Sequence, residues 1–223
     1  MHSCKERIVS TVKLVWATPD LDIHLAYIAR VSNPDNQNNP KKEGLFKFMM
    51  REGHVSPFEM CNMCVEITTT RDIARQVLRH RSFSFQEFSQ RYADTSVLPP
   101  AEMRECRMQD TKDRQNSIVV NDALLESEWA RLQDEVDSIS LLNYTRALSI
   151  GIAKEQARAL LPEGLTTSRM YMNGNMRSWI HYLNSRLHSS TQKEHRIVAQ
   201  QVLDIMRQSA PLTTDVFFPK EVS

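Results

Sequence analysis

The chemistry of this chain concentrates between Arg71 and Tyr92, RDIARQVLRHRSFSFQEFSQRY, where Arg71, Arg75, Arg79, Arg81, Arg91 and His80 face only Asp72 and Glu87. Elsewhere charge nearly cancels, with 28 Lys and Arg against 27 Asp and Glu and a formal net charge of +1. A local cationic excess needs a local anionic counterpart. Arg79-His80-Arg81 sets three cationic or potentially cationic groups side by side without a neighbouring carboxylate. Guanidinium forks match phosphate oxygens bidentately, so a phosphorylated ligand is expected there. At about 100° per residue, Arg71, Arg75, Gln76 and Arg79 share one helical stripe opposite Ile73 and Val77, and for Arg71 a solvated face is the ordinary reading. From Phe83 onward an extended chain would put Glu87, Ser89 and Arg91 on one face. An acceptor, a hydroxyl and a cation in a row suit a sugar phosphate or a ribityl chain.

Other groups invite chemistry and are weighed against it. Cys61-x-x-Cys64 has zinc or redox spacing, but residues three apart in a strand point to opposite faces, and no second Cys/His pair completes four ligands. Buried structural thiols and no metal site are expected. Ser89 lacks a Ser/His/acid arrangement beside it, so it reads as a positioning group rather than a nucleophile. Arg186 ends a helical stripe with Trp179, Tyr182 and Leu183. A cation on an apolar stripe is costly unless it is paired or solvated, and an anionic ligand would pair it. The five glycines form neither G-x-G-x-x-G nor a P-loop, so side chains must hold much of any bound phosphate.

The elements that must position these groups follow from periodicity. Residues 8–17 read as a strand, 21–31 and 44–51 as helices, 58–70 as a strand with Met63, Val65 and Ile67 on one face, and 71–81 as a helix. Residues 96–121 read as a long connection. A long helix follows, in which Leu125, Trp129, Leu132, Val136, Ile139 and Leu142 step by three and four, with Gly151 at its C-terminal cap. A shorter helix over 153–161 is stopped by Pro162, a strand covers 166–173, and Asn175 caps a helix over 176–186. Thr191-x-x-Glu194 reads as a capping box opening the last helix, with Val198, Val202, Ile205 and Met206 inward. The fold class expected is α+β, a central antiparallel sheet flanked by helices in one domain over residues 1–223.

Composition excludes several classes. Hydrophobic residues make up 41% and charged residues 25%, as in folded globular proteins and unlike disordered ones. No apolar run reaches the ~18–20 residues of a membrane span, and Lys13 interrupts the first apolar segment. No membrane partner and a cytoplasmic location are expected, with Cys4, Cys61, Cys64 and Cys106 as free thiols.

Arg79-His80-Arg81, seven residues and then Ser89 form an R-H-R-x7-S signature. With His54-x-Ser56-Pro57-Phe58-Glu59, Ala157-Arg158-x-x-Leu161-Pro162, Asn175-x-Arg177 and Arg186, the chain resembles the flavin-dependent thymidylate synthases over most of its length. That resemblance implies the fold of this family and conversion of dUMP to dTMP with FAD, NADPH and 5,10-methylenetetrahydrofolate. It also implies a homotetramer whose active sites are shared between subunits. By motif, FAD contacts fall on Ser56, Arg79, His80, Arg81, Glu87, Asn175, Arg177 and His181, with His54 beside them. Nucleotide contacts fall on Gln76, Arg79, Glu87, Phe88, Ser89, Gln90, Arg91, Arg158 and Arg186. Gln86 stands where many members have Asn, Gln90 where many have Gly, and His181 where some have Asn.

In residue terms, carbon 5 of uracil becomes nucleophilic when ring N3 loses its proton, and a permanent cation favours that anion. Arg186 is the candidate catalytic cation. Three alternatives stay open on sequence: an enzyme hydroxymethylating dUMP on the same scaffold, a nucleic-acid-binding module using the arginines with Phe83, Phe85 and Phe88 as stacking platforms, and a catalytically inactive structural homologue. The near-zero net charge argues against nucleic acid as a partner.

Overall fold

A computed structural model describes residues 10–220, so residues 8 and 9 of the first expected strand, and Cys4, lie outside the described residues. Four strands form an antiparallel sheet in the order β1-β2-β6-β3: β1 (Thr11–Ala17), β2 (Asn62–Thr70), β6 (Thr167–Asn175) and β3 (Ser84–Glu87). The backbone of the sheet is the β2–β6 pair, whose register runs unbroken from Asn62 opposite Asn175 to Thr70 opposite Thr167. The period-two pattern decides which face is covered. Met63, Val65, Ile67, Met170 and Met172 are fully buried on one side. Glu66 and Tyr171 lie on the other, where Tyr171 Oη donates to Glu66 Oε2 at 2.9 Å.

Helices cover the apolar face: α1 (Leu21–Ala29), α2 (Glu43–Arg51), α3 (Arg71–Val77), α6 (Met176–Arg186), α7 (Lys193–Ser209) and α8 (Pro211–Phe217). Asn175 caps α6 as its spacing predicts, its Oδ1 accepting from Ser178 N at 2.9 Å. Trp179, fully buried, donates its indole N–H to Met63 O at 3.0 Å and Gly174 O at 3.1 Å, which pins α6 across β2 and β6. Val198, Val202 and Met206 are fully buried on α7, and Ile205 packs at the margin of the same core. Asp22 of α1 ties down α8, accepting from Leu212 N at 2.7 Å and Thr213 Oγ1 at 2.6 Å.

Several elements differ from expectation, each because a long-range contact outweighs local pattern. The strand expected over 58–70 begins at Asn62, since Pro57 opens a 3-10 turn over Ser56–Glu59. The helix expected to Arg81 ends at Val77, so Arg79, His80 and Arg81 ride a tight turn that sends Phe83 into the core. The helix over 153–161 is a single turn, α5 (Lys154–Ala157), tightened into a 3-10 turn over Arg158–Leu160. Residues 96–121 contain a small hairpin, β4 (Arg107–Gln109) with β5 (Ser117–Val119). The capping box at Thr191 does not form, because Thr191 Oγ1 donates to Ser185 O and Glu194 is taken by Arg107 and Arg104.

The long helix, α4 (Ala123–Ser149), forms as periodicity predicts, with Gly151 at φ +88° just beyond it. Its apolar stripe does not enter the core. Val136, Ile139 and Leu142 are 46%, 60% and 66% exposed, and only Gln133 and Tyr144 of this helix are buried. Arg104 attaches α4 to α3: its carbonyl accepts from Trp129 Nε1 at 2.9 Å, and its guanidinium donates to Asp72 Oδ1 at 2.7 Å.

Candidate active site

The turn after α3 sets the centre of the site. His80 lies half-buried, its ring edge-on to Tyr182 at 4.9 Å between centroids, and Arg186 Nε donates to His80 Nε2 at 2.8 Å. Burial pulls the His80 pKa down to about 4, and the neighbouring Arg186 and His181 add to the shift. His80 is therefore neutral near pH 7, which leaves Arg79 and Arg81 as the cations of the Arg79-His80-Arg81 motif. A neutral imidazole that accepts at Nε2 carries its proton on Nδ1 and holds Arg186 by one nitrogen. Arg186 sits in the last turn of α6, on the same stripe as buried Trp179, Tyr182 and Leu183. Arg79 and Arg81 are exposed, and among the described residues neither pairs with a carboxylate.

Glu87 ends β3 half-buried and accepts from Ser168 Oγ at 2.7 Å. Strand pairing stops soon after, with Phe88 N donating to Arg169 O at 2.8 Å. Ser89 O then accepts from Tyr92 N and Ala93 N, so the chain turns and the row Glu87, Ser89, Arg91 expected on one face is broken. The turn leans on α5 instead: Arg91 Nε lies 3.5 Å from Glu155 Oε2, and Lys154 Nζ donates to Tyr92 O at 3.3 Å. Arg158 follows α5, its Nε donating to Glu155 O at 3.2 Å. Gln90 is buried with its Nε2 unpartnered, an orphaned donor beside this turn. Arg71 is half-buried rather than solvated, and burial lowers its pKa while Glu87 opposes the shift.

At the far end of β6, Arg177 pairs with Glu59, so the 56–59 turn is held against the 175–177 motif. Ser178 Oγ donates to Ser82 O at 3.3 Å and ties the start of α6 to the arginine turn. Ser56, Arg177 and His181 are exposed. His54 stands apart from them, its exposed ring edge-on to Phe48 at 5.5 Å. Cys61 and Cys64 are buried free thiols whose pKa values burial raises. Of the predicted residues, Ser56, Arg79, Arg81, Arg91, Arg177 and His181 stand open to solvent. A cavity of about 220 Å³ lined by Thr69, Thr70, Arg104 and Glu194 lies elsewhere and includes none of them.

Sequence reasoning missed His195 of α7, which is fully buried with Nε2 3.2 Å from Tyr182 Oη and Nδ1 3.3 Å from Gln76 Oε1. A polar residue on the apolar stripe with Val198 and Val202 was the available signal.

The thymidylate synthase complementing protein family matches residues 13–212. The chain is 50% identical over 187 residues to the flavin-dependent thymidylate synthase of Synechocystis sp., covering 84% of this chain and 85% of that one. It is 46% identical over 188 residues to the probable flavin-dependent thymidylate synthase of Paramecium bursaria Chlorella virus 1, covering 84% and 86%. Among solved structures it superposes on the UMP/dUMP methylase PolB from Streptomyces cacaoi bound with 5-Br dUMP, with a TM-score of 0.83, 29% identity and 95% of each chain covered. The antiparallel sheet flanked by helices is thus the fold of this group, and the chain is a methyltransferase. The chain belongs to the flavin-dependent thymidylate synthase family.

Proposed function

We propose that this chain converts dUMP to dTMP, taking the carbon from 5,10-methylenetetrahydrofolate, with NADPH-reduced FAD as the hydride source. The observation that carries this reading is Arg186 held by a neutral His80 beside the unpaired cations Arg79 and Arg81. Binding of FAD is supported by that donor set. Two guanidinium groups without carboxylate partners suit a diphosphate, and the start of α6 behind Asn175 favours a further anion. His54, Ser56, Glu87, Asn175, Arg177 and His181 complete the proposed flavin contacts. When reduced and bound, the flavin supplies hydride to the transferred carbon.

The protein's own residues supply geometry and charge. Arg91 and Arg158 grip the nucleotide phosphate, while Gln76, Glu87, Phe88, Ser89 and Gln90 orient sugar and base. The Arg186 guanidinium, a cation beside the pyrimidine, favours the N3 anion that makes carbon 5 nucleophilic. Because His80 accepts only at its Nε2, it commits one nitrogen of the guanidinium and leaves the others for the pyrimidine. Ser89, with no base beside it, positions rather than attacks.

A homotetramer with shared sites is part of the proposal. Its support is the apolar stripe of α4, too extensive to face water in a stable monomer, and the open surface on which the site residues stand. We also propose one domain over residues 1–223 and a cytoplasmic setting, which the free thiols Cys61 and Cys64 suit. No helix among the described residues is long and apolar enough to cross a membrane.

The test is the visible absorption spectrum of the purified protein, followed by tritium release from 5-tritiated dUMP with NADPH and methylenetetrahydrofolate. UMP is run in parallel, since the structural relative from Streptomyces cacaoi is named for both nucleotides. A yellow protein that releases tritium and yields the mass of dTMP supports the reading. A hydroxymethylated product, or no release, overturns it.

A further inference from the structure

His195 has no part in the chemistry just assigned, yet it touches Gln76, one of the proposed nucleotide contacts. We propose that His195 is a positioning residue that, together with Gln192, holds the Gln76 amide with an N–H facing the phosphorylated ligand. The inference rests on the reading of Gln76 as a nucleotide contact.

Glu194 is held by Arg107 and Arg104, so its carboxylate can only accept. Gln192 Nε2 donates to Glu194 Oε2 at 2.9 Å, which turns Gln192 Oε1 toward Gln76 as an acceptor. Gln76 must then donate, and its Nε2 lies 2.7 Å from that oxygen. Its own Oε1 is thereby turned inward to His195 Nδ1, 3.3 Å away. Two acceptors cannot bond each other, so Nδ1 carries the imidazole proton. Nε2 is left to accept from Tyr182 Oη at 3.2 Å. Every link has one direction, from the tyrosine hydroxyl to the carboxylate. Both Tyr182 and His195 are fully buried, so water does not compete for either end of the imidazole.

The consequence falls at the surface. With its carbonyl oxygen occupied inward, Gln76 presents its remaining N–H outward, and a donor attracts a phosphate or sugar oxygen where a carbonyl would repel it. Acceptance from Tyr182 at Nε2 requires a neutral imidazole. Burial, with Arg186 and His80 nearby, pulls the His195 pKa down to about 3, and Tyr182 faces it as a neutral donor. An apolar residue at 195 would leave Gln76 Oε1 without a donor and the amide held from one side only, by Gln192.

The test is titration of dUMP into the flavin-loaded protein by calorimetry, for the wild type, His195→Phe, His195→Leu, His195→Asn and each apolar change in a Gln76→Ala background. Asn keeps an N–H donor at the δ position; Phe and Leu do not. The apolar variants should weaken dUMP about tenfold, the effect of one hydrogen bond to a charged group, with the flavin spectrum unchanged. His195→Asn should stay within about threefold of wild type, and in the Gln76→Ala background the apolar changes should cost less than about twofold. Equal weakening by Asn and the apolar residues, or full loss without Gln76, overturns the proposal. A histidine 15N spectrum of the wild type should show His195 protonated at Nδ1; protonation at Nε2 overturns the proposal alone. No dUMP binding by the wild type overturns the nucleotide reading, and the proposal with it.

Discussion

Substituting Gly174→Ala tests whether the arginine turn is held in place by packing beneath the sheet. A Cβ at this position would meet Phe83 Cδ1 at 2.4 Å and Cε1 at 2.6 Å. Carbon atoms in contact sit about 3.5–4.0 Å apart, so the ring must retreat by about 1 Å. It has little room, being packed edge-on to Trp179 at 4.6 Å and near Tyr182 at 6.1 Å and His80 at 6.4 Å. Overpacking of this kind costs about 1–3 kcal/mol. For a chain of 223 residues, about 2 kcal/mol lowers the thermal midpoint by roughly 4–8 °C. Because Phe83 follows Arg81 by two residues, its displacement should also lower the flavin content, read as the ratio of visible to ultraviolet absorbance. Scanning calorimetry of Gly174→Ala, Phe83→Ala and the double variant isolates the contact. In the Phe83→Ala background the glycine substitution should cost less than about 1 kcal/mol, since nothing is left to collide with. An unchanged midpoint for Gly174→Ala alone, or an equal cost in both backgrounds, refutes the packing argument.

Three further outcomes are expected. Arg158→Ala should weaken dUMP binding by about 1.5–3 kcal/mol, the range for a hydrogen bond to a charged group, and unchanged affinity by titration calorimetry removes Arg158 from the site. Val136→Asp with Ile139→Asp should dissociate the assembly in sedimentation velocity while leaving the secondary structure intact by circular dichroism. A complex of undiminished size shows that the α4 stripe is no interface. His80, with its pKa pulled from 6.5 to about 4, and His195, pulled to about 3, bind protons in the unfolded chain before they do in the folded one. Stability therefore falls as pH drops below about 6.5 and continues to fall toward pH 4, and His195→Asn should show a shallower decline in the thermal midpoint over that interval. Parallel curves for the two proteins contradict the assignment of a buried neutral imidazole.

Short-range order was legible wherever one repeat distance governed it. Alternation along 63–67 marks the covered face of β2, and the three-and-four spacing marks α4, α6 and α7, because neighbours one or two turns apart settle those patterns. Asn175 could be read as a cap for the same reason: its partner is Ser178, three residues away. The motif residues were legible as types, since guanidinium groups without carboxylates imply an anion whatever the fold. The Thr191 and Glu194 capping box misled, because both side chains find partners that spacing does not reveal, Glu194 with Arg107, 87 residues distant.

The chain alone therefore specified which residues bear charge, which stripes are apolar and where most helices and strands form, all of which depend on residue type and local interval. Folding in three dimensions decided the rest. The His80 pKa falls to about 4 only when burial removes water and α6 brings Arg186 against it, and His195 acquires a proton donor and an acceptor only when α6 and α3 both pack on α7. The apolar stripe of α4 reads like core and stands exposed. Desolvation and contacts such as His80 with Arg186 and His195 with Gln76, each across more than a hundred residues, determine the two histidine outcomes, and neither is a property of any interval along the chain.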